Sequence, residues 1–110
     1  MPLSMNEHQF ITLAESCMDS IRTALEDADI DVDDDDDVLT IHLGDGRQLI
    51  LNKHRPMQQL WLSSPFSGAS HYRYDAQSTT WRNTRHPDDT LPHKLYQEIN
   101  SHTDKHIKTP

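Results

Sequence analysis

Nine of the chain's eighteen acidic residues fall within twelve positions, Glu26 to Asp37, and no Lys or Arg lies among them. Carboxylates this crowded repel one another, and the repulsion opposes compaction unless a cation or a basic partner neutralises it. Their oxygens are hard donors, suited to Fe²⁺, Fe³⁺, Mn²⁺ or Ca²⁺. Spread along a helix end and a strand, they would hold such ions weakly, at several sites and with little selectivity. A solvated acidic surface is the plain alternative. The residues alone leave both readings open.

Other chemistries fail on spacing. A calcium loop needs Gly at its sixth position and Glu at its twelfth. Counted from Asp29 these are Asp34 and Thr40, and counted from Asp31 they are Asp36 and His42. The single cysteine, Cys17, sits on an apolar helical stripe and reads as a small buried side chain rather than a zinc ligand. His102 and His106 are four apart and share a helical face only if a helix reaches that far. No phosphate-cradling glycine loop and no nucleophile elbow occur. Nor are there Glu-x-x-His pairs for a di-iron centre, which argues against a ferroxidase or iron-storage protein.

The formal net charge is −8, and the acidic segment alone carries −9, so the rest of the chain sums to about +1. An acidic balance argues against nucleic acid as a partner, since phosphate recognition needs a basic face. No apolar run is long enough for a membrane span, and the N-terminus lacks a signal-peptide layout. One cysteine fits a reducing compartment, and a cytoplasmic location is expected. A length of 110 residues suggests one domain, 1–110.

The elements that must position the acidic pole follow from periodicity. Phe10, Ala14, Cys17, Ile21 and Leu25 recur at helical steps and predict a helix from Asn6, its N-cap, to Asp27. Glu15, Asp19, Arg22 and Glu26 take the opposite side. The period then becomes two: Ile30 and Val32 alternate with Asp29, Asp31 and Asp33 as in an edge strand, with Asp34 to Asp37 as the connection. Strands follow over residues 38–43, 47–52, 58–63, 70–75 and 79–83. Gly44-Asp45-Gly46 turns the first pair, and Lys53 to Pro56 reads as a loop. A second helix spans Leu91 to Ser101, capped by Asp89 or Thr90, and the polar tail is expected to be flexible from about 103. The fold class is α+β: a two-layer sandwich, two helices packed on one face of a mostly antiparallel sheet of about six strands. The opposite face is left free to meet a partner.

That face should carry Gln59 and Trp61, because alternation buries Leu60 and Leu62. An exposed Trp on a sheet is often an interaction anchor, and a Trp half-covered by neighbouring strands is the alternative.

Together these features resemble the frataxin family, in particular its bacterial members of the CyaY type. The resemblance rests on the acidic first helix and strand, Val38-Leu39-Thr40-Ile41, Gly46, Asn52, Pro56 and Gln59-Leu60-Trp61-Leu62. Ser63-Ser64-Pro65, Ser67-Gly68, Tyr72, Trp81 and the helix through Leu95 extend it from about Met5 to Asn100. It implies the frataxin sandwich and an iron-binding acidic ridge of Glu15, Asp19, Glu26, Asp27, Asp29, Asp31 and Asp33. It also implies a non-enzymatic role beside the cysteine desulfurase and scaffold of iron–sulfur cluster assembly, as iron-dependent regulator or iron donor. Gln59 and Trp61 would meet that machinery. A monomer is implied, with metal-induced oligomers as a further state. The chain departs from the family in its short helix-to-strand link, its His- and Lys-bearing tail and its run from Asp34 to Asp37, which shifts the metal site toward the turn and adds Asp34.

Overall fold

A computed structural model of the chain describes residues 5–108. Helix α1 spans Glu7–Asp27. Asn6 starts it: its side-chain oxygen accepts the Gln9 N–H at 2.8 Å, and Gln9 Oε1 accepts the Asn6 N–H at 3.0 Å. This reciprocal pair satisfies donors that a helix start otherwise leaves bare. At the other end Asp29 adopts φ 59, and the Ile30 N–H closes onto the Leu25 carbonyl at 2.9 Å. That is the left-handed termination in which glycine is the usual residue. Asp29, expected to open the first strand, therefore ends the helix instead.

The strands are β1 (Asp31–Asp35), β2 (Val38–His42), β3 (Gln48–His54), β4 (Gln59–Ser64), β5 (Gly68–Asp75), β6 (Thr80–Asn83) and β7 (Thr90–Leu91), followed by helix α2 (His93–His102). They lie side by side in chain order, and each pair of neighbours is antiparallel. The expected α+β sandwich is present, with seven strands instead of about six. The added strand, β7, has two residues, too few for alternation to reveal. β1 also runs two residues further than expected, so only Asp36 and Asp37 form the turn. Neither predicted cap starts α2: Thr90 lies in β7, Asp89 accepts hydrogen bonds from Tyr72 and Asn83, and Pro92 occupies the cap position without a side-chain bond.

Both helices cover one sheet face. Phe10, Ile21 and Leu25 of α1 and Leu95 and Ile99 of α2 are buried against Leu39, Leu51, Leu62, Tyr72 and Trp81. Each large apolar side chain so buried contributes about 1.5–3 kcal/mol. Phe10 meets Trp81 edge to face, with ring centroids 6.1 Å apart. The tail is also held. Ile107 is only 1% exposed, and its N–H and C=O both bond the Asn100 side chain, at 2.7 and 3.0 Å. One isoleucine among polar neighbours carries little periodic signal, which is why the segment reads as flexible; residues 109–110 lie outside the described range. Thr103 is extended and ends α2, so His102 and His106 do not share a helical face.

Candidate functional site

Strand register divides the acidic pole in two. Asp31, Asp33 and Asp35 pair with His42, Thr40 and Val38 on the face away from the helices. Val32 and Asp34 pair with the buried Ile41 and Leu39, so they lie on the helix side. Asp34 thus joins Glu15, Asp19 and Asp36 in a groove of about 300 Å³ between α1 and the β1–β2 hairpin. A second groove, about 480 Å³, opens past the helix end and is lined by Glu26, Asp29, Asp31, His42 and Lys105. Asp27 and Asp33 line neither groove. Asp33 Oδ2 instead sits 2.8 Å from His42 Nε2.

Tertiary structure also brings in cations that the local sequence of the acidic run lacks. Arg22 reaches Asp19 at 3.6 Å, Glu26 at 3.2 Å and Asp34 at 3.6 Å. Lys53, read from sequence as a loop residue, belongs to β3, and its side chain is fully buried. Its Nζ lies 2.8 Å from Glu15 and 3.5 Å from Asp37. Arg55 grips Asp37 through Nε at 3.2 Å and Nη2 at 2.9 Å. The hydrogen bond and charge of Lys53 hold the Glu15 carboxyl below its ordinary pKa. The Arg55 hydrogen bond does the same for Asp37. One signal could have found Lys53: it continues the alternation of Leu49 and Leu51 toward the core.

Of the nine clustered carboxylates, Glu26, Asp34 and Asp37 therefore have ion-pair partners, and Asp33 has a hydrogen-bond partner in His42. Asp27, Asp29, Asp31, Asp35 and Asp36 have none among the described residues. Likewise, no three His, Cys, Asp or Glu side chains among the described residues converge closely enough to enclose a metal ion. The open grooves are lined mainly by carboxylates, the donors that hard cations prefer.

On the outer sheet face, Trp61 is half-buried and sandwiched. His54 from β3 stacks on one contact at 3.7 Å between ring centroids, and His71 from β5 on another at 4.2 Å, both nearly parallel to the indole. The Trp61 Nε1–H donates to Gln59 Oε1 at 2.8 Å. The Met57 N–H donates to His54 Nδ1, leaving that imidazole's own proton on Nε2. Leu60 and Leu62 are buried, as alternation predicts. Gln59 is not the open contact expected: it is 3% exposed and acts as a strut beneath Trp61. A partner on this face therefore meets a His54–Trp61–His71 strip rather than a bare indole. Cys17 is half-buried, and burial pushes its thiol up to about 12, far from a reactive thiolate.

A family model described as a frataxin-like domain matches residues 3–105. The chain belongs to the frataxin-like family. Its sequence is similar to the iron-sulfur cluster assembly protein CyaY of Pseudomonas aeruginosa, 38% identical over 80 residues, which cover 71% of this chain and 73% of that protein. It is 38% identical over 87 residues to the protein of the same name from Bordetella avium, covering 74% and 77%. The mitochondrial frataxin homolog of Schizosaccharomyces pombe is 33% identical over 89 residues, covering 74% of this chain and 56% of that one. The fold of this frataxin-like chain resembles frataxin from Psychromonas ingrahamii, with TM-score 0.84, 26% identity and coverage of 94% and 97%. It also resembles a trimeric frataxin of Saccharomyces cerevisiae complexed with ferrous iron, with TM-score 0.66, 25% identity and coverage of 92% and 90%. The family expected from the acidic pole and the Trp61 strand is thus the family found. Among the described residues, no helix is long and apolar enough to cross a membrane.

Proposed function

We propose that this frataxin-like chain binds iron weakly at its acidic pole and acts in iron–sulfur cluster assembly. In this reading it is an iron-dependent regulator of the cysteine desulfurase, an iron donor, or both, and it works in the cytoplasm without catalysing a reaction itself. The observation that carries it is the groove in which Glu15, Asp19, Asp34 and Asp36 face each other across α1 and the β1–β2 hairpin. Its donors are the hard oxygens that ferrous and ferric ions accept, and its openness suits loading and release. Relatives named for iron–sulfur cluster assembly and a fold relative complexed with ferrous iron support the same reading.

Within this reading the ligands divide by pairing. Asp27, Asp29, Asp31 and Asp36 are free to take a metal, whereas Glu15, Asp19, Glu26 and Asp34 must first release Lys53 or Arg22. Asp33 must release His42. The His54–Trp61–His71 strip, on the same sheet face as the outer carboxylates of β1, is the surface offered to the desulfurase and scaffold, and negative charge on that edge steers a basic partner.

An assay of desulfurase turnover with and without this protein, across Fe²⁺ concentrations, tests the role. An effect that grows with iron supports it. An effect independent of iron makes the chain an interaction module that uses its charge and Trp61 alone. Iron-driven oxygen consumption by the isolated protein would instead make it a ferroxidase.

A further inference from the structure

Four strands from the acidic edge the molecule has a second polar cavity of opposite character. It is about 370 Å³, and Ser70 and His71 of β5, Arg85 and His86 of the loop after β6, Asp89, and Lys94 of α2 line it. Its base is tightly organised. The Tyr72 hydroxyl donates to both Asp89 oxygens at 2.9 and 3.0 Å, and Asn83 Nδ2–H donates to Oδ2 at 2.9 Å. The Asn83 side-chain oxygen accepts the backbone N–H groups of Arg85 and His86 at 2.8 and 3.1 Å, which fixes the loop that carries them. Both Asp89 oxygens thus accept hydrogen bonds from the base of the cavity.

The cations are in the opposite position. Among the described residues, neither Arg85 nor Lys94 has a carboxylate within ion-pair distance, whereas Arg22, Arg47, Lys53, Arg55 and Arg82 all do. Arg85, Lys94, His86 and Ser70 thus line a cavity that holds one carboxylate, so two full cationic charges face a single anionic one. In a chain of net charge −8 this is a local reversal of sign. Guanidinium forks and ammonium groups are the usual partners of tetrahedral oxyanions.

We propose that this cavity binds a small oxyanion of the sulfate or phosphate type, either free or as the terminal ester of a larger molecule. Arg85 and Lys94 supply the charge, and Ser70 supplies a further polar contact. Because His71 also stacks on Trp61, the occupied cavity borders the strip on the outer face.

The test is a titration of the full-length, ¹⁵N-labelled protein with sodium sulfate, with sodium chloride adjusted to hold ionic strength constant. The expected result is saturable shifts of the amides of residues 67–71, 84–89 and 94. In Arg85→Gln/Lys94→Gln the apparent affinity should fall at least about tenfold, and in Lys105→Gln/Lys108→Gln it should not change. Should the double variant fold poorly, Arg85→Glu alone carries the same expectation. Parallel titrations with inorganic phosphate and O-phosphoserine separate the sources: tighter binding of phosphoserine assigns an ester, and tighter binding of phosphate or sulfate assigns the free ion. Shifts that do not saturate, that spread equally to Lys105 and Lys108, or that survive in the double variant overturn the proposal.

Discussion

Trp61 and Lys53 each hold two sequence-distant parts of the molecule together, and each can be tested by removing one interaction at a time. Trp61→Phe keeps an aromatic ring between His54 and His71 but leaves the buried Gln59 oxygen without its donor. The expected cost is about 1 kcal/mol of stability, measured by urea denaturation. Trp61→Ala also loses the two stacked contacts and should cost about 2 kcal/mol, less than a fully buried tryptophan would. An unchanged midpoint in the Phe variant would show that the strut contributes nothing. For Lys53 the readout is pH. Glu15 and Asp37 are held below their ordinary values of 4.5 and 3.8, so folding favours their ionised forms. Depressed pKa values add stability that is present above those values and is lost as pH falls through the folded-state ones. Lys53→Met keeps an apolar stem but removes the hydrogen bond and charge that lower Glu15, while Arg55 continues to hold Asp37. The gap in melting temperature between wild type and variant should be widest at neutral pH and should narrow below about pH 4.5. A gap constant from pH 7 to pH 3 would mean that Lys53 stabilises through packing alone.

The β1 strand shows how an element assigns different jobs to identical side chains. Asp31 and Asp33 look equivalent in sequence, both on the outer face of an acidic edge. Among the described residues, Asp33 alone of the two has a close partner, His42 at 2.8 Å. Asp31→Asn should therefore relieve repulsion and raise the melting temperature by about 1–4 °C in low salt. The gain should fade in 0.5 M salt as screening shortens the reach of the charges. Asp33→Asn should give a smaller gain or a loss, because it exchanges the carboxylate's hydrogen bond to His42 for a weaker one. Equal stabilisation by both changes would show that the Asp33–His42 pair has no energetic weight. Outward carboxylates on this edge also discourage pairing with another strand, so both variants should be compared at low protein concentration.

Charge is segregated across the whole molecule. Among the described residues, carboxylates without ion-pair partners gather at the β1 edge and the end of α1, stacked aromatic rings occupy the middle of the outer face, and Arg85 and Lys94 lie on the β5–β6 side. Binding of a hard cation to the folded state alone should stabilise it in proportion to occupancy. Fe²⁺ under anaerobic conditions, or a lanthanide in its place, should raise the melting temperature progressively without a sharp stoichiometric break. It should broaden amide signals around Asp27, Asp29, Asp31 and Asp36 before those of Glu15, whose carboxylate Lys53 already occupies. Broadening centred on His54 and His71, with the acidic pole unaffected, would refute weak binding at the pole.

The periods of hydrophobic residues determined the architecture, because a stripe at 3.6 residues and an alternation at 2.0 each have one way to hide from water. They were enough for α1 with its Asn6 cap, for the strands that contain Leu39, Leu51, Leu62 and Tyr72, and for turning Trp61 away from the core. Composition located the acidic pole and, with the order of Asn52, Pro56, Gln59 and Trp61, the family. What only the tertiary structure decided depends on residues far apart in the chain. Lys53 lies 38 positions from Glu15 and reaches it only after β3 packs beneath α1. The split of the pole depends on the register of Asp34 against Leu39, and Gln59 is buried by the neighbours that cover it on the sheet. Ile107 could not be read as a core residue, since nothing beside it in sequence shows that Asn100 will hold it in place. Local pattern fixes which face a residue presents; charge pairing and coverage follow from what the folded chain places opposite that face.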